Sequence, residues 1–480
     1  MIAQVDRLLG RVTMSVLVAV TLGAIALLAL ILSFAGVLHF GPLEWLASLA
    51  VALASVTGST LLASGIARVH PHLPSSIISG LLLFLVFTPS LEAGALGGLA
   101  IAGAVAGVSK FAVAVRGRHL VNPAALGALV VGILQSLVPG APFLFATWWV
   151  ATPPLLPLVA LGALLVLRRT STLGMGLVFV VIAAGIATAR MLVGGLDAGA
   201  ALATAFGSLP FVFVAGFMLS EPLTLPPRRW QRMLEAVVVA VLVAVPFSLG
   251  PLFSSPELAL VAGGLLGFAF GQRRGIRLTL EGRRELAPGT WEIGMRPAAP
   301  VRFAPGQFLE LGMRLPRTDA RGSRRVLSIA SAPGEPLLRV AFTVPRSGPV
   351  SAFKAALLAA PLGTPLTATR VGGDFLLPAR ADVPLLLVAG GIGITPFLSQ
   401  LTAPSGRGGR RDIVLVYATG ASGLPPFAED VAGRGARVVL FSPEPPALLP
   451  EGWTLGGTGF PTAELIAAAV PDLAARHVYL

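Results

Sequence analysis

The sequence predicts a polytopic α-helical membrane domain, then a small antiparallel β-barrel, then an α/β nucleotide-binding domain. Three observations carry that expectation. Up to Gly271 the chain is a succession of long uncharged apolar runs, and beyond Gln272 charges and strand-like alternation set in. Residues 385–397 read as a buried apolar strand that breaks into a glycine turn and opens a helix. The whole is 55% hydrophobic with 12% charged residues and a mean hydropathy of +0.84, too apolar for a soluble enzyme. The expected domains are 1–271 (transmembrane), 272–379 (barrel) and 380–480 (α/β).

In the first part the apolar runs suggest about ten spans, near 12–36, 43–66, 75–89, 91–109, 121–139, 153–167, 172–189, 204–220, 233–250 and 256–271. Several fall short of the ~20 residues that a perpendicular helix needs, which suggests broken or re-entrant segments. The first run is too long for a signal peptide and lacks a small-residue cleavage site. Arg7, Arg11, Arg68, Lys110, Arg116, Arg118, Arg168, Arg169, Arg228, Arg229, Arg232, Arg273, Arg274 and Arg277 all fall on one side, with Arg190 the exception. By the positive-inside rule both termini are cytoplasmic, in a bacterial-type cytoplasmic membrane. The net charge of +13 is spread over these loops and the C-terminal part, without the basic, aromatic-interleaved stripe of a nucleic-acid binder.

The ten spans divide into two halves of five. Phe84-Leu-Val-Phe-Thr-Pro89 resembles Phe213-Val-Ala-Gly-Phe-Met-Leu-Ser-Glu-Pro222, and Asn122-Pro123 and Ser255-Pro256 each open a later span. Pro123 follows Pro89, and Pro256 follows Pro222, by the same 34 residues. An odd number of spans per half implies an inverted repeat, with a site near its pseudo-two-fold axis.

From Gly275 to about Pro378, short alternating strands are expected at Ile276–Glu281, Thr290–Met295, Gln307–Met313 and Leu337–Thr343. Turns such as Ala304-Pro-Gly306 separate them, as in a small antiparallel barrel. In the last domain Gly390, Gly391 and Gly393 permit a tight turn and close approach of a phosphate to backbone amides, with Thr395 and Pro396 opening the helix. A strand–turn–helix without ligand gives the same pattern, so the neighbouring motifs decide.

Those motifs are Pro305-Gly-Gln-Phe308, Arg325-Val326-Leu327-Ser328-Ile-Ala-Ser331, Gly348-Pro-Val350-Ser351, Gly373-Asp-Phe-Leu-Leu-Pro378 and the glycine turn, in that order. The set resembles the ferredoxin–NADP reductase superfamily over about 200 residues. The resemblance implies FAD in the barrel and NAD(P)H on the α/β domain. It implies that Arg325 grips the FAD pyrophosphate, its fork suiting phosphate, and that Ser328 lies by the flavin N5 as the catalytic hydroxyl. Val326 and Leu327 would line the flavin, with Leu327 replacing the usual stacking aromatic, and Gly348, Val350 and Ser351 would meet the phosphates. Ala418-Thr-Gly-Ala-Ser-Gly423 carries no arginine where relatives hold a 2′-phosphate, which favours NADH. Relatives continue into a Cys-Gly-Pro motif and a last helix beside the nicotinamide, and this sequence ends at Leu480. The nucleotide domain is therefore expected without that wall, or with sequence beyond Leu480 supplying it.

His119-Leu-Val-Asn-Pro-Ala-Ala-Leu-Gly127 and Phe217-Met-Leu-Ser-Glu-Pro-Leu-Thr224 are similar to segments of the flavin-bearing membrane proteins of the Rnf complex and of the sodium-pumping NADH:quinone reductase. That resemblance implies ten spans in two inverted halves and a covalent FMN, or another flavin, on an outward-facing threonine. The nearest match is Thr152 in Val150-Ala-Thr-Pro153, where Trp149 and Val150 depart from the Ser-Gly pattern, and a helix-start threonine fits the same residues. Asn122 and Glu221 are candidates for a cofactor or ion site, or for a helix cap and an interfacial charge.

The chain has no cysteine, which excludes disulfides, thiolate iron–sulfur clusters and thiol chemistry within it, and no metal site is expected. His39, His70, His72 and His119 sit at span ends or loops and His477 in the last domain, so paired haem ligands of a ferric-reductase type are not expected. The expected function is a membrane-bound flavin oxidoreductase passing electrons from NAD(P)H through FAD to a flavin, a quinone or an extracytoplasmic flavoprotein, alone or with other membrane subunits. A bilayer core of ~30 Å is too wide for one efficient hop, so transmembrane transfer needs an intermediate carrier. A transporter or channel with a redox-sensing flavin domain stays open as a second class.

Overall fold

The computed structural model describes residues 12–115, 118–138, 140, 143, 145–271, 275–315, 319, 322–403, 411–420 and 423–480. Arg7, Arg11, Arg116, Arg273, Arg274, Ala421 and Ser422, named above, lie outside the described residues. The chain forms two compact units: Met1–Arg274 with Pro316–Gly322, and Gly275–Leu315 with Ser323–Leu480.

The first unit is helical: α1 (Met14–Phe34), α2 (Pro42–Ala67), α3 (Leu73–Val86), α4 (Ala93–Ala112), α5 (Pro123–Leu137), α6 (Leu156–Arg169), α7 (Leu173–Val193), α8 (Ala198–Gly207), the short α9 (Phe211–Phe213), α10 (Arg229–Ala244) and α11 (Pro256–Phe270). α9 runs on into a π-helical turn, Val214–Leu219. Five stretches are long and apolar enough to cross a membrane: Met14–Phe34, Pro42–Ala67, Ala93–Ala112, Leu173–Val193 and Ala198–Leu219. Leu73–Val86, Pro123–Leu137 and Pro256–Phe270 are shorter apolar helices. The outward faces are as apolar as the inward ones, with Ile66 86% and Val193 92% exposed, the pattern of helices solvated by hydrocarbon.

Glycine sets how closely these helices approach. A Cβ on Gly127 of α5 would sit 2.2 Å from the Ala102 carbonyl oxygen of α4, and one on Gly107 would sit 1.9 Å from the Ser59 hydroxyl of α2. Small residues at such crossings let backbones meet where burial against lipid gives no hydrophobic gain.

α5 and α11 enter alike. Each has 15 residues, starts with proline and is capped by a side chain, Asn122 accepting from the Ala124 and Ala125 amides and Ser255 from Leu258. Each follows a hairpin of two residues per strand, Ala114–Val115 with Arg118–His119 and Ser248–Leu249 with Leu252–Phe253.

α3 stops early because Phe87 is extended. Incoming chain satisfies the carbonyls this exposes: the Thr147 and Trp148 amides donate to Val86 O (3.0 and 2.8 Å) and the Val150 amide to Leu85 O (3.4 Å). The Trp149 indole donates to Phe84 O at 2.8 Å. Non-helical backbone is tolerated at membrane depth only with such partners.

The second unit has two layers of strands. β1 (Ile276–Ala287), β2 (Thr290–Pro297), β3 (Phe308–Gly312), β4 (Arg324–Ser328), β5 (Leu338–Thr343) and β6 (Pro365–Gly372) form an antiparallel sheet in the order β4-β3-β6-β1-β2-β5. A bridge between Ile329 and Val340 brings its ends together into a barrel. Leu278, Leu280, Ile293, Leu309, Leu311 and Val340 fill the interior with Phe353 from α12 (Ala352–Ala359). β6 and β4 are not among the strands expected from sequence.

β7 (Leu385–Gly390), β8 (Ile413–Ala418), β9 (Arg437–Phe441), β10 (Trp453–Gly457) and β11 (His477–Tyr479) form a fully parallel sheet in the order β10-β9-β8-β7-β11. The near-continuous apolar runs of β7 and β8 are what strands covered on both faces require. Arg339 of β5 pairs with Glu292 of β2 (3.1 Å) and with Asp430 (2.9 Å) of the short helix Ala428–Val431 that follows β8. Gly306, at φ +92°, lets the turn before β3 lie where a Cβ would meet Phe375 O at 2.0 Å and the Gln400 amide at 2.3 Å.

Candidate functional site

The barrel residues of interest lie on β4, the edge strand beside β3. Phe308 pairs with Ser328, Leu309 with Leu327, Glu310 with Val326 and Leu311 with Arg325. Alternation then divides the strand. Leu327 packs against the barrel interior, and the Arg325 guanidinium carbon lies 5.4 Å from the Phe353 ring centroid. Val326 stands exposed on the other face.

Phe353 is the second residue of α12, and this brings the Arg325 strand to the helix that Ser351 opens. The Ser351 hydroxyl accepts from the Lys354 amide at 3.3 Å, capping that helix. Gly348 sits just before it at φ +101° with no atom within 4 Å of a Cβ position, and Val350 is exposed. An arginine fork, a capped helix start and an open glycine turn thus adjoin at one edge of the barrel. That set of donors suits a pyrophosphate.

The glycine turn lies at the C-terminal end of β7. From β7 the sheet runs one way through β8, β9 and β10 and the other way to β11, so the turn sits at the topological switch point. Gly391 (φ +51°) begins a single 3₁₀ turn, Gly391–Ile394, before α13 (Thr395–Thr402) opens with Pro396 in its first turn. The Thr395 hydroxyl donates to Ile392 O at 2.5 Å and holds that junction. No atom lies within 4 Å of a Cβ position on Gly390, Gly391 or Gly393. The Cβ positions of these three glycines therefore point into open space among the described residues.

In the helical unit the two segments singled out by sequence meet directly. His119 Nδ1 lies 3.0 Å from Glu221 Oε1, and the Asn122 side-chain amide donates to Met218 O at 3.3 Å. Arg118 donates to Leu223 O at 2.8 Å and to Leu225 O. Asn122 is also the cap of α5, so that part of the cluster closes open backbone at two breaks. Nothing in the sequence signals the Arg118 contacts, since they span more than 100 residues. Thr152 lies in the turn before α6, where its carbonyl accepts from Leu155 (3.0 Å) and Leu156 (3.2 Å). Among the described residues no group of histidine, aspartate and glutamate could hold a metal.

The sequence pattern also misses a charged layer on the outer face of the barrel. Thr369 donates to Glu310 at 2.8 Å, and the Arg370 guanidinium carbon lies 5.4 Å from the Phe308 ring centroid. Burial pulls the Arg324 and Arg370 guanidinium pKa values down, against the opposing charge of Glu310.

No protein-family model matches the chain. A flavohemoprotein from Oceanobacillus iheyensis is 29% identical over 118 residues, covering 24% of this chain and 29% of that protein. One from Deinococcus radiodurans is 28% identical over 130 residues, covering 27% and 31%. The chain thus spans about three-tenths of the length of these curated relatives. Among solved structures, an Amycolatopsis cytochrome P450 reductase is similar at 24% identity, covering 43% of this chain and 60% of that one, with a TM-score of 0.34. A Neisseria gonorrhoeae ferredoxin NADP+ reductase with bound FAD and NADP is 22% identical, covering 42% and 80%, with a TM-score of 0.33. The flavohem-like FAD/NAD-binding domain of a Vibrio cholerae nitric oxide dioxygenase is 16% identical, covering 43% and 98%, with a TM-score of 0.33. The C-terminal unit is thus a six-stranded antiparallel barrel followed by a five-stranded parallel sheet, and over 118 residues the chain is similar in sequence to a flavohemoprotein.

Proposed function

We propose that this protein is a membrane-bound, NAD(P)H-dependent FAD oxidoreductase that passes electrons to an acceptor in or across the membrane, a flavin or a quinone. The observation that carries this reading is the meeting of Arg325 with the Ser351-capped helix, in the same unit as an open glycine turn at the switch point of a parallel sheet. Arg325 would hold the FAD pyrophosphate with Gly348, Val350 and Ser351. Val326, Leu327 and Ser328 would border the isoalloxazine, and Gly390, Gly391, Gly393, Thr395 and Pro396 would receive the NAD(P)H pyrophosphate. The chemistry that a bound FAD would supply there is acceptance of hydride from a nicotinamide and release of electrons one at a time. The chain's own part is to orient both dinucleotides and, through the Ser328 hydroxyl, to guide the approach to N5.

On this reading residues 1–271 form the membrane domain, 272–379 the FAD barrel and 380–480 the nucleotide domain. The matching hairpin–cap–proline entries of α5 and α11 support a repeat within the membrane domain, and the reading makes it an inverted repeat of ten segments with both termini cytoplasmic. Thr152 is the candidate for a covalent flavin. Purifying the full chain, identifying its flavins and testing by acid precipitation for covalent attachment would check the flavin part of this reading. Protein free of flavin would sink the proposal. Flavin reduced by NADH that passes no electrons to quinone or flavoprotein acceptors would favour a redox-sensing transporter instead.

A further inference from the structure

We propose that Arg370, with Glu310 as its counterweight, sets the redox potential of the flavin at the Ser328 edge of the barrel. This inference rests on the flavin reading above. Its basis is a row of side chains on the outer face of three neighbouring strands. Arg370 of β6 pairs in register with Glu310 of β3, and Glu310 with Val326 of β4. One step along the same face, Gly372 pairs with Phe308, and Phe308 with Ser328. The Arg370 guanidinium lies over the Phe308 ring, 5.4 Å from its centroid. A positive charge therefore sits beneath the ring that adjoins Ser328, while Val326 leaves the face open beside it.

That charge is poorly compensated. Arg370 is 7% exposed, and among the described residues its buried Nε has no hydrogen-bond partner. Glu310 is engaged by the Thr369 hydroxyl and its charge acts on Arg324 as well as on Arg370, so it is shared between the two guanidinium groups. A guanidinium stays protonated even when burial lowers its pKa. In so dry a layer its field reaches further than it would in water. Reduction adds negative charge to a flavin ring, and a fixed cation nearby favours the reduced form. Arg370 acts through this field and not by contact with the reacting atoms, so it is a tuning residue. Phe308 forms the surface between it and the site.

The test is the midpoint potential of the flavin in the purified full-length protein, measured by equilibration with a reference dye. Arg370→Gln is expected to lower the potential by about 30 mV, a tenfold change in the oxidised-to-reduced ratio at fixed poise for a two-electron couple. Glu310→Gln is expected to raise it, and Arg370→Lys to stay nearer the parent than Arg370→Gln. The opposite signs matter, because a purely structural role would lower thermal stability in these variants without moving the potential in two directions. Flavin-loaded variants with unchanged potentials would overturn the tuning role and leave the flavin reading standing. Parent protein without flavin would overturn both. If Arg370→Gln does not fold, Glu310→Gln and Arg370→Lys still decide: an unmoved potential in Glu310→Gln overturns the proposal.

Discussion

The helical unit and the barrel unit are built on opposite uses of apolar side chains. In the barrel, leucine, isoleucine, valine and phenylalanine point inward and the outer face carries charge, as at Glu310, Arg324 and Arg370. In the helical unit large apolar residues such as Phe34, Ile66 and Val193 stand exposed, and the closest helix contacts fall on glycine, alanine and serine. The difference follows from solvent. Water rewards burial of large side chains, whereas hydrocarbon does not, so close backbone approach and satisfied polar groups must hold the helices. Redox chemistry in the proposed reading begins in the unit whose polar groups sit at an open edge, and the helical unit contributes breaks whose open backbone is met by groups such as Asn122 and Arg118.

Substitutions can break or sharpen this contrast. Phe353→Ala should be the most damaging in the barrel, removing about 3–5 kcal/mol as a large buried side chain lost from a core and taking away the ring beneath Arg325. Thermal unfolding, with flavin content measured alongside, would register it. Gly127→Leu should cost the helical unit about 3 kcal/mol by overpacking, because its Cβ would meet the Ala102 carbonyl. Gly97→Ala, where nothing lies within 4 Å, should leave detergent-purified protein as stable as the parent. If the two glycine variants behave alike, close approach is not what holds these helices. Arg325→Ala should keep the barrel folded and weaken FAD binding by about 1.5–3 kcal/mol, the range for a hydrogen bond to a charged group, or roughly ten- to a hundredfold. Ser351→Ala should cost about 1 kcal/mol as a lost helix cap, with a smaller loss of FAD affinity.

The smallest effect is one of pH. Arg476 pairs with Asp472 at 2.6 Å and with Asp412 at 3.0 Å, which ties β11 to the sheet. The hydrogen bond from Arg476 holds the Asp472 carboxyl below its usual range. Its stabilising contribution is therefore present above the ordinary carboxylate pKa and is lost as pH falls through the depressed value. Protection of the His477–Tyr479 amides, taken relative to their intrinsic exchange rates at each pH, should fall on acidification, and Asp472→Asn should weaken that dependence, with Asp412 still paired to Arg476.

The division into an apolar helical part and a mixed α/β part is legible because burial in lipid and burial in a sheet leave different periodicities. Long runs mark the first, and alternation followed by a continuous apolar strand marks the second. The strand–glycine–helix at Gly390 is legible for the same reason, since residues 385–389 cannot be exposed and the glycines cannot continue a strand. What escapes depends on distant partners. β6 alternates only over Leu366-Thr-Ala-Thr369 before its register shifts between Ala368 and Arg370, and only Glu310 and Phe308, some sixty residues earlier, give Arg370 a place. The hairpins before α5 and α11 are two residues per strand and lie within apolar or mixed sequence, so no periodicity announces them. Asn122 reads in the sequence as either a cap or a ligand, and its bonds to Ala124, Ala125 and Met218 show it working as a cap and a tie between segments.

Anaerobic titration of the purified full-length protein with NADH, followed by flavin absorbance, tests the central claim most directly. The expected result is bound FAD that bleaches on NADH addition and recovers its colour with a quinone or flavoprotein acceptor, with FAD content falling in Arg325→Ala. Protein that holds no flavin, or flavin whose retention is indifferent to Arg325, would contradict it.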